Sequence, residues 1–163
     1  MLDFILRFFR KAYQSIYVVM LRLRFSDRLH LGTGISFRNG FIVNCGSNGK
    51  VSIGNDCFFN NGCSINSHNS VIIGNDCLFG EGVKIYDHDH CFADINSPIR
   101  DQGFTEGQVK IGDGCWIGSN VVILRDADVG EGSIIGAGSI VKGAVPPFTV
   151  LVCKHALSMR PRT

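Results

Sequence analysis

Two histidines and two aspartates alternate in one short stretch, Tyr86-Asp87-His88-Asp89-His90. Histidine is the side chain whose ordinary pKa lets it exchange a proton near neutral pH, so either ring suits general acid–base catalysis. Imidazole and carboxylate groups are also good metal ligands, and a segment this polar can equally be a solvated loop without chemistry. The choice among these depends on the elements that position the segment.

Those elements follow from a six-residue period that runs through most of the chain. Each unit begins with an aliphatic or aromatic leader, its second residue is often glycine, and its fifth residue is small. The leaders are Ile53, Phe59, Ile65, Ile73, Phe79, Ile85, Ile111, Ile117, Ile123, Val129, Ile135 and Val141. A helix repeats at about 3.6 residues and a simple strand at every second residue, so neither explains this spacing.

A six-residue unit suits a short strand followed by a corner, with three units closing one triangular coil. The leader then fills the interior, and the fifth residue is small because it lies near a corner. Stacked coils bury a continuous aliphatic column and pair their backbones from coil to coil, as solenoids do. The period therefore predicts an all-β solenoid, a parallel β-helix, clear over residues 51–152 and more degenerate over 29–50.

The register breaks twice, and in a solenoid such breaks mark loops that leave the body. The first break, around His68-Asn69-Ser70, inserts two residues between the leaders Ile65 and Ile73. The second is a long polar stretch, residues 86–110, which opens with the two histidines. Loops on a rigid scaffold carry function more often than the scaffold itself, so we expect the chemistry at the second break.

Seven cysteines raise the question of disulfides or zinc, but the count is odd and no CxxC pair occurs. Cys57, Cys63, Cys77 and Cys115 all occupy the fifth position of a repeat. This favours small buried thiols in a reducing compartment over a metal or redox role.

The first 25 residues predict an amphipathic helix, because apolar side chains recur at spacings of three and four. Arg7, Arg10, Lys11, Arg22 and Arg24 make it basic. Such a helix suits the surface of an anionic membrane, or it caps the open end of the solenoid or packs in an oligomer, and the sequence leaves these open. We expect neither a cleavable signal peptide nor a membrane-spanning helix.

The 163 residues, 45% of them hydrophobic, are enough for one folded domain, and the net charge of +2 is too small to argue for nucleic acid. We predict an N-terminal helix at 1–28, a β-helix at 29–152 with an external loop at 86–110, and a C-terminal tail at 153–163.

The repeats resemble those of the hexapeptide-repeat acyltransferases, whose fold is a left-handed β-helix, and most closely the galactoside and maltose O-acetyltransferase branch. In that branch a catalytic histidine lies five residues after a leader, which implies His90 after Ile85, with His88 as the alternative. The resemblance also implies Asn60 as an acceptor-binding residue. His68 and Asp87 are further candidates for contacts with the substrate.

The resemblance places acetyl-coenzyme A against the last coils. Trp116, Gly118 and Ser119 match one segment of the branch, and Gly136 and Ala137 match another. Lys142 is a candidate for a phosphate of the cofactor, or a solvated lysine. The C-terminus departs from the branch, since Cys153-Lys154-His155-Ala156 stands where Gly-x-Pro-Ala is usual, and we expect Arg160 and Arg162 to compensate in charge.

The resemblance implies an acetyl-coenzyme A-dependent O-acetyltransferase acting on a sugar or glycan precursor. If the N-terminal helix docks on a membrane, we expect this acceptor to be a precursor in surface polysaccharide biosynthesis. The resemblance further implies a cytoplasmic homotrimer, with no metal and no nucleic acid, and with contact to the inner membrane face if the N-terminal helix binds lipid. Three alternatives remain: N-acetylation of an amino sugar or nucleotide amino sugar, a silent scaffold, and a zinc lyase of the γ-carbonic anhydrase kind. The last needs two histidines five residues apart, which the chain lacks.

Overall fold

The computed structural model describes the backbone of residues 2–153, with side chains for residue 9 and from residue 11 onward. The predicted tail lies outside this range from residue 154, as do Arg160 and Arg162. Among residues 2–153, no helix has the length and hydropathy that a bilayer crossing requires.

Within residues 2–153, one long helix is followed by 19 short strands. The helix α1 spans Leu2–Phe25, and two 3-10 helices span Ser26–Arg28 and Ile99–Asp101. The strands are β1 (Leu29–Leu31), β2 (Ser36–Phe37), β3 (Ile42–Cys45), β4 (Lys50–Ile53), β5 (Phe58–Phe59), β6 (Ser64–Ser67), β7 (Ser70–Ile73), β8 (Leu78–Phe79), β9 (Lys84–Tyr86), β10 (His88–His90), β11 (Phe104–Glu106), β12 (Gln108–Ile111), β13 (Trp116–Ile117), β14 (Val122–Ile123), β15 (Asp128–Val129), β16 (Ile134–Ile135), β17 (Ile140–Val141), β18 (Ala144–Val145) and β19 (Val150–Leu151).

Three parallel sheets form the sides of a triangular prism. The first sheet has the order β1-β4-β7-β12-β15-β18, the second β2-β5-β8-β13-β16-β19, and the third β3-β6-β9-β14-β17. Successive strands along the chain visit the three sheets in turn, which makes about six coils. This is the left-handed parallel β-helix expected from the sequence.

The leaders of the repeat form the interior, as the period predicts. All 12 are at most 2% exposed. In-register pairing places each leader above the one in the next coil, as Phe59 lies opposite Phe79 and Ile117 opposite Ile135. Burial of this continuous column is the main driving force for the fold.

The buried cysteines serve the stacking of the coils. The Cys57 thiol donates to the carbonyl of Gly74 at 3.1 Å and the Cys63 thiol to that of Gly80 at 3.1 Å, each in the following coil. All seven cysteines are free thiols. These contacts account for a small, weakly polar side chain at the fifth position.

The corners need backbone conformations that few residues accept. The fourth residue of a unit has a positive φ, as at Asp56 (55°), Asp76 (55°) and Asn120 (56°). Glycine, aspartate and asparagine tolerate this left-handed region best, which explains the composition of the corners. Where glycine stands second in a unit, the reason is close approach of the backbone: a Cβ on Gly54 would lie 2.6 Å from the carbonyl carbon of Gly74 in the next coil.

Helix α1 covers the open N-terminal end of the prism. Leu21 and Phe25 are buried against the first coil, and the Tyr17 hydroxyl donates to the carbonyl of Phe41 at 2.8 Å. Aromatic rings continue the column below the helix, with Phe41 stacked on Phe59 at 4.5 Å between centroids. The helix therefore protects apolar side chains that the first coil would otherwise expose.

The external loop is a hairpin shorter than the predicted 86–110 stretch. Strands β10 and β11 pair antiparallel, with His88 opposite Glu106 and His90 opposite Phe104. The prism resumes at Gln108, three residues before the leader Ile111, because Val109 is also buried and pairs with Val71. The excursion thus covers residues 87–107.

Candidate active site

Two corners of the prism carry the residues singled out in the sequence. The corner between the third and first sheets, here the histidine corner, holds His68, Asp87 and His88, and the hairpin leaves the prism there. The corner between the second and third sheets, here the glycine corner, holds Asn60, Gly118 and Gly136. Within one chain these are separate edges of the prism.

The carboxylate of Asp87 is the centre of the histidine corner, and it is fully buried. Its Oδ2 accepts hydrogen bonds from the Ser67 hydroxyl at 2.6 Å and the Asn69 backbone N–H at 3.0 Å. Its Oδ1 accepts one from the His68 backbone N–H at 2.8 Å and lies 3.0 Å from Nδ1 of His88. Burial alone would raise the pKa of this carboxyl group, but the hydrogen bonds donated to it outweigh burial and hold the pKa below its usual value.

This contact decides the tautomer of His88. An ionised carboxylate only accepts hydrogen bonds, so Nδ1 of His88 must carry the hydrogen and donate it to Asp87. In the neutral ring, the second nitrogen, Nε2, therefore carries the lone pair. The His88 side chain is 13% exposed, so solvent reaches a ring whose orientation is set from below. An oriented neutral imidazole of this kind is the arrangement that a general base needs.

His68 lies against His88. The two rings stack with 3.8 Å between centroids and 22° between planes. Phe104 of the hairpin meets the His68 ring edge-on at 4.3 Å. Burial, and then the neighbouring His88 ring, lower the pKa of His68, so this imidazole resists protonation.

The stacked histidines line a cavity of about 250 Å³ on the third sheet. The other walls are mainly polar and come from two earlier coils and from β9; they are Asn44, Cys45, Gly46, Asn66, Ser67 and Tyr86. The Asn44 amide donates to the Asn66 amide oxygen at 3.0 Å, which holds both side chains in place. Amides and a phenol beside two imidazoles can bind a ligand rich in hydroxyl groups.

His90 has a different environment from His88. It is exposed on the hairpin and packs on Phe104 with 4.5 Å between ring centroids, and it does not line the cavity. The neighbouring Asp89 pairs with Arg125 at 2.9 Å, which ties the hairpin to the next coil. Within one chain, the hairpin therefore holds His90 on an outer surface, away from the buried carboxylate.

The glycine corner gathers most of the predicted donor-binding residues, and there the glycines have a structural reason. A Cβ on Gly118 would lie 2.6 Å from the backbone nitrogen of Ala137, and one on Gly136 would lie 2.8 Å from Cγ1 of Val152. Ser119 is half-buried and Ala137 is exposed, so the corner has a narrow surface of small residues. Asn60 belongs to the same column, two coils before Gly118, and its Oδ1 accepts from the Asn61 N–H at 2.8 Å.

Trp116 and Lys142 stand apart from that column. Trp116 is exposed on the second sheet, where it pairs with Leu78 and Ile134. Lys142 is exposed after β17, which places it on the histidine corner two coils beyond β9. The structure therefore divides the predicted site residues between the two corners and one exposed sheet face.

Sequence reasoning did not identify Asn44, Cys45, Asn66 and Tyr86 as cavity residues, or Ser67 and Phe104 as partners of the histidines. Asn44 and Asn66 occupy equivalent positions in successive coils, and that spacing was a signal. No signal in the sequence pointed to Phe104, because the strand pairing of the hairpin does not follow from the six-residue repeat. Among the described residues, no group of three or more histidine, cysteine or acidic side chains has the geometry to hold a metal ion.

Comparison with known proteins supports the six-residue repeat found in the sequence. Residues 108–143 match the family model described as bacterial transferase hexapeptide (six repeats). A probable acetyltransferase of Mycobacterium tuberculosis is 41% identical over 64 residues, which is 39% of this chain and 21% of that relative. The chain thus spans about a fifth of that relative's length.

Two solved structures are similar over most of the chain. A hexapeptide-repeat acetyltransferase of Vibrio cholerae O1 biovar eltor, complexed with acetyl coenzyme A, superposes with a TM-score of 0.72 and 26% identity, covering 86% of this chain and 73% of that one. A maltose O-acetyltransferase of Clostridium difficile 630 superposes with a TM-score of 0.65 and 31% identity, covering 77% and 66%. The chain is thus a left-handed β-helix with the hexapeptide repeat, and its resemblance to the hexapeptide-repeat acyltransferases is confirmed.

Proposed function

We propose that this chain transfers an acetyl group from acetyl-coenzyme A to a hydroxyl of a sugar or glycan precursor. The observation that carries the proposal is the buried Asp87 carboxylate hydrogen-bonded to Nδ1 of His88, at the edge of a polar cavity. The names of the similar proteins support the same class of reaction, since they include a complex with acetyl coenzyme A and a maltose O-acetyltransferase.

His88 is the base that the geometry favours. Its Nε2 is free, its orientation is set by Asp87, and its ring lines the cavity. His90, the position implied by the resemblance, would act from an exposed surface and is the second candidate. Asp87 is fully buried, so we assign it a positioning role through His88 in place of direct contact with the acceptor.

The proton transfer follows from these atoms. Nε2 of His88 takes the proton of the acceptor hydroxyl, and the oxygen becomes a nucleophile as the proton leaves. The Asp87 carboxylate stabilises the imidazolium that forms. Bound acetyl-coenzyme A supplies an acetyl group activated as a thioester. The acceptor oxygen would then bond to the thioester carbonyl carbon as the C–S bond breaks. His88 would give its proton to the departing thiolate, and the ring would return to its neutral form.

The cavity walls suit a sugar. The amides of Asn44 and Asn66 and the phenol of Tyr86 both donate and accept hydrogen bonds, as sugar hydroxyls do. His68 forms the wall beside His88, where its lowered pKa keeps it uncharged at neutral pH. Because the His68 ring is neutral, no second positive charge opposes the imidazolium that would form on His88.

The glycine corner fits the donor. The small residues Ser119, Gly136 and Ala137, beside the buried Gly118, leave backbone open to the close approach of an extended arm with amide groups. Because this corner and the histidine corner are different edges of one prism, we propose that the site is completed by a neighbouring copy in a homotrimer. Asn60 would then contact the acceptor from the neighbour, Trp116 would lie beside the donor, and Lys142 would face a phosphate.

Co-expression tests whether the two corners come from different copies. His88→Ala removes the base and Ala137→Arg blocks the small-residue surface, so each variant alone should be inactive. In mixed trimers about a quarter of the sites would combine two intact corners, and activity should return to about that fraction. Activity that stays at the level of the single variants would contradict a shared site.

The function itself is tested in three steps with the full chain. Titration calorimetry with acetyl-coenzyme A should show saturable binding near one site per chain, and no binding in a folded protein would refute the proposal. A sugar screen should then show release of coenzyme A that His88→Ala reduces by about 10²-fold or more, the usual contribution of a general base. A greater loss in His90→Ala would move the base to His90.

Treatment of the product with mild base separates the two acceptor classes. Esters hydrolyse and amides do not, so a base-stable product would indicate N-acetylation.

We place the reaction in the cytoplasm, in the assembly of a surface polysaccharide, where the free thiols of this chain would stay reduced.

A further inference from the structure

Helix α1 has two apolar faces, and the prism uses only one of them. Leu21 and Phe25 are buried against the first coil. On the opposite side Ile16, Val19 and Leu23 recur at spacings of three and four and are 62%, 54% and 79% exposed. We call this side the outer strip; its members are Tyr13, Ile16, Val19, Met20 and Leu23. A helix that only capped the prism would carry polar residues there.

Basic residues flank the outer strip. Lys11 and Arg22 are eleven residues apart, close to three helical turns, so they fall in one row on one side, and Arg24 lies on the other side. The first 25 residues hold five basic residues and one acidic, a net charge of +4, whereas the whole chain has +2. The rest of the chain is therefore net negative, and the positive charge is concentrated at the helix.

A groove of about 400 Å³ runs between α1 and the first coil, beside the outer strip. Lys11 and Arg22 lie on its helix wall with Gln14 and Ser15 between them. The Arg22 guanidinium already donates to the carbonyl of Leu31 at 2.9 Å and has further N–H groups to offer. A groove with two cations next to an apolar strip suits a phosphate group attached to an acyl chain.

A second copy of the chain fits this surface less well. Packing outer strips together would also bring together the rows of Lys11, Arg22 and Arg24, and like charges at short distance oppose such contact. An anionic bilayer offers the opposite charge together with an apolar layer. At about 36 Å, a helix of this length can lie flat on that interface.

We infer that α1 docks the protein on an anionic lipid bilayer, with the outer strip inserted at the acyl boundary and Lys11 and Arg22 against lipid phosphates. The inference does not depend on the proposed acetyl transfer, because both the surface and its test are separate from the histidine corner. Burial of the strip supplies the apolar part of the binding free energy, and the basic rows supply a part that salt weakens.

Vesicle flotation with the full-length chain tests this docking. The probes are vesicles of phosphatidylcholine alone and of phosphatidylcholine mixed with phosphatidylglycerol. The chain should float with the mixed vesicles and remain in the lower fractions with the neutral ones. Leu23→Glu should weaken partitioning by about tenfold or more, the effect of losing one buried leucine-sized side chain. Lys11→Gln should weaken it by about fivefold.

The control is Ile95→Glu, the same kind of change at a side chain that is 94% exposed on the hairpin. It should float like the wild type. Because Leu23 is 79% exposed, Leu23→Glu should keep the wild-type melting temperature, so a loss of flotation would not reflect unfolding. Equal flotation of Leu23→Glu, or no flotation of the wild type, would overturn the inference. So would a Leu23→Glu variant whose mass by light scattering falls, since the strip would then be an interface between copies.

Discussion

Replacing Asp87 by asparagine separates the two tasks of this residue, the packing of the corner and the orientation of His88. An amide has one accepting oxygen, whereas the carboxylate accepts on both. The amide oxygen is expected at the Oδ1 position, facing the His68 N–H and Nδ1 of His88. The amide NH₂ then faces the Ser67 hydroxyl, which can donate instead to the carbonyl of Lys50, 3.0 Å away. The same NH₂ also faces the Asn69 N–H, and two donors cannot form a hydrogen bond with each other.

The expected losses of stability and of kcat follow from that arrangement. One charge-assisted hydrogen bond is lost and the half-buried Asn69 N–H is left facing another donor, which costs about 2–4 kcal/mol of the free energy of unfolding. For a chain of this size that lowers the melting temperature by roughly 5–15 °C. The neutral amide no longer stabilises the imidazolium form of His88, so kcat should fall by about 10²-fold or more.

A double-mutant cycle shows whether Asp87 acts through His88. Asp87→Asn in the His88→Ala background should lower kcat little further, because the base that it positions is already gone. Coenzyme A should be measured by chromatography, since the thiols of the chain would react with a colorimetric thiol reagent. Effects on kcat that multiply in the double variant would refute the positioning role.

Asp94→Asn is the matched control for this substitution. Asp94 also accepts a hydroxyl hydrogen bond at 2.6 Å, from Ser97, and a backbone N–H bond at 2.9 Å, from Asn96. It lies exposed on the hairpin and contacts neither His68 nor His88. The melting temperature and kcat of this variant should stay near the wild-type values.

Three further predictions concern the prism and its pH dependence. Phe59→Ala should lower the free energy of unfolding by about 3–5 kcal/mol in denaturant titrations, because the ring is buried in the aromatic column; a loss below 1 kcal/mol would contradict that packing. Gly54→Ala should cost about 3 kcal/mol or more, since its Cβ would meet the backbone of the next coil, whereas Gly62→Ala, with φ of 68° and open space around the Cβ, should cost only about 1–2 kcal/mol. The folded-state pKa of His68 lies below its ordinary value of 6.5, so the unfolded chain takes up the proton first and the melting temperature should fall as the pH drops below that value; His68→Gln should show a smaller fall, and an unchanged pH profile would exclude His68 as the source.

The sequence by itself determined the prism. The spacing of leaders such as Phe59, Ile85 and Ile117 required an interior column, because a fixed six-residue repeat has one way to bury an apolar residue per unit. The small residues and glycines of the corners followed from the same geometry, and so did the point where the hairpin leaves the body. The spacing of apolar residues predicted the helix. Only the structure distinguished its two apolar faces, because one of them packs against the first coil and the other is exposed.

The tertiary structure decided where the histidines lie and what they contact. The resemblance implied His90 as the base, with His88 as the alternative two residues away. In the structure, His88 contacts the buried Asp87 and lines the cavity, whereas His90 is exposed on the hairpin. The stack with His68 joins residues 20 apart, through coil stacking that brings successive corners together. The separation of the histidine corner from the glycine corner likewise depends on which side of the prism each unit occupies, because a local repeat is the same in all three sheets.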